Sequence, residues 1–299
     1  MKISVFLITL MTLTTSQVFG IEMTTARTAP MKVCNPSSVE SCFQDRSDAN
    51  HAFIIAKNNG STEIEKTKYV ALLIHGLSDS PYFYRDIAQI LFKKGINVVA
   101  IRTSGHGTIE SHLGQVTREQ WYKDTEYGVE LAKKYGDNVI IAGMSNGGSL
   151  ALRETQRNKD IKGLILFSAA LKTPKKYNVS CALTNRIIKT PLKFIGGLFT
   201  NTEDYQATKE YGRDVRYQGI HNNGTCQLYK MNAENHSYAV RKKSMTKGTR
   251  VERRSTKLYA DIKVPVFSVV SEYDTVLNLD YMMNFSHNVG SNKDGKSYL

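Results

Sequence analysis

One serine of the sequence lies between two closely spaced glycines, a pattern that can expose a serine hydroxyl as a nucleophile. Ser145 has Gly143 two positions before it and Gly147 two positions after it, the pattern Gly-X-Ser-X-Gly. The motif directly follows the apolar run 139–142 and precedes a helical pattern at 149–157, so we expect a strand, a tight turn and a helix. Glycines are needed there because side chains would collide with the neighbouring strand and helix. The spacing predicts Ser145 as a nucleophile that forms an acyl intermediate.

Backbone N–H groups near this serine would stabilise the negative charge that develops on a substrate carbonyl. Asn146 begins the helix after the turn, where the free N–H groups and the helix dipole favour an oxyanion. A second donor is expected from the loop after an earlier strand, where the chain reads His75-Gly76-Leu77. We predict the Leu77 N–H as this donor, with His75 and Gly76 shaping the turn and the His75 side chain acting structurally.

An acid that could orient a catalytic histidine follows a late apolar run. Asp274 comes after the apolar run 264–270, at the sheet edge where open α/β folds bind ligands. A carboxylate there can hold an imidazole in the correct tautomer and stabilise the imidazolium. The order serine then aspartate fits this type of fold. The alternative interpretation of Asp274 is a solvated loop residue.

The elements that must position these groups alternate between strands and helices, which predicts an α/β fold. Parallel strands need crossover connections, so we expect a mostly parallel central sheet with helices on both faces. The predicted strands are 52–56, 69–74, 96–101, 139–142, 161–167 and 264–270. The predicted helices are 86–94, 118–135, 149–157 and 279–289.

The alternation stops between residues 171 and 259, and this segment is too long for a plain loop. It predicts a largely helical cap inserted over the carboxyl edge of the sheet. The predicted division is a signal peptide at 1–20, an N-terminal arm at 21–50, the first core part at 51–171, the cap at 172–259 and the second core part at 260–299.

Five motifs occur in the order that one large family shows. They are 75–77, 102–108, 121–124, 143–148 and 264–274. Together they resemble the α/β-hydrolase group of monoacylglycerol lipases, lysophospholipases, carboxylesterases and S33-type serine aminopeptidases. The resemblance implies Ser145 as nucleophile, Asp274 as acid and the amides of Leu77 and Asn146 as oxyanion donors. It also implies that Gly105-His106-Gly107 forms a structural loop.

The general base of the predicted triad has three candidates among the histidines of the sequence. The resemblance implies a histidine beyond one more strand, and we expect this sequence to stop as that strand begins, so the last strand would be missing. His287 is the only histidine after Asp274, and it falls on the predicted helix 279–289. It is a candidate base, although a histidine there is also typical of helix packing. The alternatives are His221 or His236 from the insertion, or no general base.

The first twenty residues and the cysteines indicate export. Met1 and Lys2 precede a short apolar run that ends in small residues near Gly20, which is typical of a cleaved signal peptide in a periplasmic or extracellular bacterial protein. The apolar run is too short for a transmembrane anchor. An even cysteine count suggests two disulfides, and proximity favours Cys34–Cys42 with Cys181–Cys226 among three possible pairings. Neither spacing is typical of a metal site, and no cofactor is predicted.

A formal net charge of +13 predicts a strongly basic surface. Such a surface attracts anionic membranes or polyanions without specificity, and no nucleic-acid-binding motif accompanies it. The favoured function is hydrolysis of a small-molecule or lipid-like ester by a serine hydrolase. The alternatives are an S33-like peptidase and a catalytically incomplete protein that binds an anionic surface or lipid. The sequence leaves the oligomeric state open.

Overall fold

The computed structural model describes most of the predicted core and part of the insertion. The predicted signal peptide, much of the 172–259 insertion and residues 290–299 lie outside the described residues. The described residues are 23–36, 42–43, 50–58, 64–173, 181, 215–217, 219–247, 259, 262–274 and 277–289.

A seven-stranded sheet forms the centre of the described part of the chain. Its strands are β1 (Met31–Cys34), β2 (Ala52–Ile55), β3 (Thr67–Ile74), β4 (Asn97–Ile101), β5 (Gly136–Met144), β6 (Ile161–Phe167) and β7 (Val266–Val269). They lie in the order β1-β2-β4-β3-β5-β6-β7, and only the β2–β4 pair is antiparallel. The predicted mostly parallel α/β fold is confirmed.

Helices cover both faces of this sheet. The described α-helices are α1 (Arg85–Lys93), α2 (Arg118–Ala132), α3 (Asn146–Arg157), α4 (Asn222–Lys247) and α5 (Leu279–Asn288). Alternate residues of β3 belong to two different apolar clusters. Leu72 packs with residues of α2 and α3, and Leu73 packs with residues of α1. Since side chains alternate across a strand, β3 is buried on both faces, which explains its continuous apolar sequence.

Most predicted strands shift by one to three residues at an end, and tertiary pairing explains the early start of β5 and one additional strand, β1. β5 begins at Gly136, three residues before the apolar run, because Gly136 and Asn138 pair with Thr67 and Tyr69 of β3. β1 lies in the predicted N-terminal arm 21–50, for which the sequence predicts no strand. It forms a short parallel edge strand because its four residues pair with β2, a long-range contact that local sequence does not show.

Both cysteine pairs are bonded as sequence proximity favours. One disulfide joins Cys34 to Cys42 beside β1, and the other joins Cys181 of the insertion to Cys226 of α4. Two disulfides are common in proteins of oxidising compartments. Among the helices of the described residues, none combines the length and the apolar character needed to cross a bilayer.

The described part of the insertion packs against α3, the helix that follows β5. The long helix α4 runs beside α3, where the Asn235 side-chain amide donates to the Ser149 carbonyl oxygen over 3.1 Å. The Asn232 amide donates to the Ala170 carbonyl oxygen over 2.6 Å, just beyond β6. These buried hydrogen bonds fix the insertion close to the residues that follow β5 and β6.

Candidate active site

Ser145 occupies a strained backbone turn between β5 and α3. Its φ is 48° and its ψ is −114°, a conformation that residues with a Cβ rarely adopt. The turn is tight enough to require both glycines of the motif. A Cβ on Gly143 would overlap the Gly147 carbonyl, and a Cβ on Gly147 would overlap the Ile74 carbonyl of β3. The elbow predicted from Gly-X-Ser-X-Gly is therefore present in the backbone, with the serine at its apex.

Backbone hydrogen bonds to β6, to the segment after it and to α3 hold this strained turn. The Ser145 N–H donates to the Phe167 carbonyl at the end of β6 over 3.1 Å. The Ser145 carbonyl accepts from Ala170 N–H over 2.9 Å and from Gly148 N–H over 3.0 Å. Strained residues persist only where the surroundings over-determine them, and these three bonds supply that constraint.

The two predicted oxyanion donors flank the elbow. A Cβ built on Gly76 would lie 3.4 Å from Ser145 Cβ, so the loop carrying Leu77 lies against Ser145. Asn146 is fully buried at the first position of α3. Within the described chain, the N–H groups of Leu77 and Asn146 donate no hydrogen bond. Two free N–H groups beside a serine are suited to bind an oxyanion.

His75 is a neutral, buried histidine whose hydrogen bonds define its tautomer. Its Nε2 accepts from Thr103 N–H over 3.1 Å, so Nδ1 carries the proton and donates to the Gly76 carbonyl over 2.9 Å. Burial lowers the pKa of His75 well below its usual value, and the nearby His106 and Arg102 lower it further. The predicted structural role of this side chain fits these contacts.

His106 makes the corresponding contact one residue further along the loop. Its Nε2 lies 2.8 Å from the Leu77 carbonyl oxygen, and its Nδ1 lies 3.0 Å from Thr103 Oγ1. Burial lowers the pKa of His106 to about 4, although hydrogen bonds to the carbonyls of Leu77 and Ser104 oppose this shift. The Ser104 carbonyl oxygen also lies 3.0 Å from Nδ1, but a neutral ring has one N–H and can donate to only one of the two carbonyls. The shorter contact assigns the proton to Nε2, which donates to Leu77 and leaves Nδ1 to accept from the Thr103 hydroxyl.

The two histidines thus hold consecutive carbonyl groups of one loop. His75 holds the Gly76 carbonyl, and His106 holds the Leu77 carbonyl. Because a peptide group is planar with N–H opposite to C=O, fixing the Gly76 carbonyl also fixes the direction of the Leu77 N–H. Sequence reasoning assigned His106 only to a structural loop. Its contact with Leu77 joins positions 29 apart in the chain and has no local sequence signal.

The loop around His106 takes its shape from two glycines. Gly105 has φ 79° and Gly107 has φ 65°, both in the left-handed region that glycine tolerates. Tyr217 of the insertion stacks on His106 with ring centroids 6.1 Å apart. Its hydroxyl donates to the Gly105 carbonyl over 2.9 Å. The cap segment and this loop are therefore packed together.

Asp274 follows β7 at the same sheet edge as the elbow. β7 is parallel to β6, and β6 is parallel to β5, so the ends of β5 and β7 point the same way. The half-buried Asp274 lies in a turn, where its Oδ1 accepts from Leu277 N–H over 3.0 Å and its own N–H donates to Ser271. This bond fixes the carboxylate near the start of α5.

The three candidate bases lie in different places. His287 is in α5, and its side chain lies outside the described residues. His221 accepts from Asn223 N–H at Nδ1 over 3.1 Å and lies against Gly114. His236 on α4 has its Nδ1 3.5 Å from the hydroxyl of Tyr281 on α5. None of these described contacts includes Ser145.

No group of three or more histidine, cysteine, aspartate or glutamate side chains could hold a metal ion in the part of the chain that the structure describes. The polar groups around the elbow include amide N–H groups, neutral histidines, hydroxyls and one carboxylate, Asp79, that is paired with Arg216. Such groups fit acyl transfer through a serine, in which preorganised dipoles stabilise a developing charge.

Comparison with known proteins identifies relatives of this chain. The family model described as serine aminopeptidase, S33, matches residues 65–298. A thermostable monoacylglycerol lipase of Bacillus sp. (strain H-257) is 31% identical over 103 residues, which is 34% of this chain and 41% of that enzyme. The chain therefore matches less than half the length of this relative.

Solved structures share the fold at low sequence identity. The monoacylglycerol lipase of Paleococcus ferrophilus is 16% identical, with a TM-score of 0.54 over 80% of this chain and 84% of that one. A soluble variant of monoglyceride lipase from Saccharomyces cerevisiae, in complex with a substrate analog, is 15% identical. Its TM-score is 0.57 over 81% of this chain and 79% of that one.

Proposed function

Because the chain belongs to the serine aminopeptidase S33 family, we propose that it hydrolyses carboxylic esters, with lipid-like acyl esters favoured, through an acyl intermediate on Ser145. The observation that carries the proposal is the backbone of Ser145, with φ 48° and ψ −114° at the N-terminus of α3. This strain is typical of a serine held out of a sheet for reaction.

The proposed reaction has two steps, acylation of Ser145 and hydrolysis of the acyl-serine. Ser145 Oγ attacks the ester carbonyl carbon while its proton passes to a general base, and the carbonyl oxygen becomes an oxyanion bound by the N–H groups of Leu77 and Asn146. Collapse breaks the carbon–oxygen bond, and the alcohol leaves with the proton from the base. Water then cleaves the acyl-serine by the same route. Asp274 is the proposed acid, and His287 is the proposed base.

Labelling with a fluorophosphonate probe tests the nucleophile and the base together. We expect the purified chain to be labelled and its Ser145→Ala variant to remain unlabelled, with circular dichroism showing that both are folded. His287→Ala should abolish labelling, whereas His221→Ala and His236→Ala should leave it. Labelling lost only in His221→Ala or His236→Ala would reassign the base. A folded chain that resists labelling would contradict the enzyme proposal and leave the binding alternative.

The substrate class is tested with matched acyl groups. The relative named as a monoacylglycerol lipase supports a lipid-like ester, while the family description supports an aminoacyl substrate. We expect higher kcat/KM on a long-chain monoacylglycerol than on an acetate ester. Faster cleavage of an aminoacyl p-nitroanilide would instead favour a peptidase, because pocket shape rather than the triad selects the leaving group.

The net charge of +13 supports peripheral contact with anionic surfaces in addition to hydrolysis. We expect flotation with vesicles that contain anionic lipid and not with neutral vesicles. Salt should release the protein because the attraction is electrostatic. Binding to neutral vesicles that persists in high salt would contradict this part of the proposal.

Export is proposed from the signal-like first twenty residues and the two disulfides. Both bonds would then form in an oxidising compartment. N-terminal sequencing of the protein recovered from the periplasm or medium should begin near residue 21. Recovery of the full-length chain from the cytoplasm with free thiols would contradict export.

A further inference from the structure

A buried carboxylate lies directly beside the nucleophile. Asp79 is only 9% exposed, and a Cβ on Gly76 would overlap its Oδ2. The same Cβ would lie 3.4 Å from Ser145 Cβ. The Asp79 carboxylate and the Ser145 side chain therefore flank the same side of Gly76, next to the loop that carries Leu77.

A negative charge at this position opposes the proposed chemistry. The attack of Ser145 creates a second negative charge on the substrate oxygen, and two like charges a few ångströms apart repel strongly in a buried site. Burial raises the pKa of Asp79, whereas Arg216 and hydrogen bonds from Ser78 and Gly76 act to lower it. The ionised carboxylate needs a counterion if the oxyanion is to form.

The counterion comes from the cap insertion. Arg216 Nε lies 3.2 Å from Asp79 Oδ1 and 3.0 Å from Ser78 Oγ, and Ser78 Oγ donates to the same Asp79 oxygen over 3.1 Å. The next residue, Tyr217, donates its N–H to the Ser78 carbonyl over 2.8 Å. Two consecutive cap residues, Arg216 and Tyr217, thus form polar contacts with the loop that follows Leu77.

We propose that Arg216 is a positioning residue for the hydrolysis, acting through Asp79: it neutralises the Asp79 carboxylate, so that this charge does not oppose the oxyanion beside Ser145. The inference rests on the proposed function. The charge of Asp79 is then balanced only when the cap segment 215–217 is docked on the loop after Leu77. Asp79 also has a structural role, because its backbone N–H donates to the Gly76 carbonyl and helps to hold the loop.

A double-mutant cycle tests the proposal, with kcat and KM measured on a p-nitrophenyl ester and normalised to active sites titrated with the fluorophosphonate. In the wild-type background, Arg216→Gln should lower kcat about ten- to a hundredfold, with KM changed less than about twofold. In the Asp79→Asn background, the same Arg216→Gln change should cost less than about threefold, because no charge remains to be neutralised. Arg216→Lys should retain most of the activity in the wild-type background.

The matched control is Arg85→Gln. The Arg85 side chain is 23% exposed, close to the 28% of Arg216, but it pairs with the solvent-exposed Asp86. It should keep kcat within about twofold of the wild type. Equal losses from Arg216→Gln in both backgrounds would overturn the proposal, as would an unchanged kcat in the single variant.

Stability is followed by thermal unfolding, since removing one partner of a buried pair can destabilise a protein. If Arg216→Gln does not fold, Arg216→Lys is measured in both backgrounds, and a tenfold loss that Asp79→Asn does not relieve overturns the proposal. A wild-type chain that is never labelled would refute the proposed function itself. That outcome differs from a labelled wild type in which Arg216→Gln lowers kcat equally in both backgrounds, which refutes only the role of Arg216.

Discussion

The neutral His106 should make the folded protein sensitive to acid in a defined pH window. His106 is fully buried, and burial lowers its pKa from the usual 6.5 to about 4. The folded chain therefore binds this proton more weakly than the unfolded chain does. Between these two pKa values the unfolded state holds more protons, so the contribution to stability is complete above pH 6.5 and is lost as the pH falls toward 4.

The loss of unfolding free energy on acidification can be calculated from the difference between the folded and unfolded pKa of His106. At 1.36 kcal/mol per unit, the shift of His106 corresponds to about 3 kcal/mol of unfolding free energy between pH 7 and pH 4. Burial lowers the pKa of His75 in the same direction, and raises the pKa of Asp79 and Asp124, which act in the opposite direction. The pH dependence of the wild-type unfolding free energy is therefore the sum of several groups. A comparison with a His106 variant isolates the contribution of His106.

His106→Gln provides that comparison, because the glutamine amide can still donate to the Leu77 carbonyl but does not titrate. Urea unfolding at pH 7, 5.5 and 4 gives the unfolding free energy of both proteins. The wild type should lose about 3 kcal/mol more than His106→Gln on acidification. Ser145→Ala is the control and should follow the wild-type slope. Parallel slopes for the wild type and His106→Gln would refute the assignment of a buried neutral imidazole.

Three further predictions concern the elbow and the acid. Ser145→Gly should raise the unfolding free energy by about 1 kcal/mol and abolish labelling, because glycine accepts φ 48° without strain. Equal or lower stability would show that the turn is not strained. Gly147→Ala should cost more than about 3 kcal/mol in thermal unfolding, because the new Cβ overlaps the Ile74 carbonyl; a near-wild-type Tm would contradict the packing. Asp274→Asn should lower kcat by about 10⁴-fold in an esterase assay, and an unchanged kcat would remove it from the triad.

The parts of the fold with local signals were predictable from the sequence. The boundaries of β6 match the predicted strand 161–167, because its apolar run is buried between two neighbouring strands. The elbow was recognisable because glycine and serine spacing reports a local backbone constraint. β1 was not recognisable, since its four residues become a strand only by pairing with β2.

The charged neighbour of Ser145 could not be predicted from local sequence. Asp79 reads as an ordinary polar turn residue after His75-Gly76-Leu77, and its counterion Arg216 is more than a hundred positions away. Burial, not composition, makes this aspartate important, because a solvated carboxylate at the same distance would be screened. The role of His106 was hidden for the same reason, as its partner is a backbone carbonyl in a distant loop.

The contacts of the cap segment connect distant parts of this chain to the loop beside Ser145. Arg216 and Tyr217 contact the loop after Leu77, and the Tyr217 ring also stacks on His106, which holds the Leu77 carbonyl. His75 sets the direction of the Leu77 N–H through the Gly76 carbonyl, His106 holds the next peptide group of the same loop, and the proposed local charge balance depends on Arg216. An oxyanion donor displaced by about 1 Å loses much of its value. Substitutions in the cap should therefore reduce kcat even where they touch no substrate.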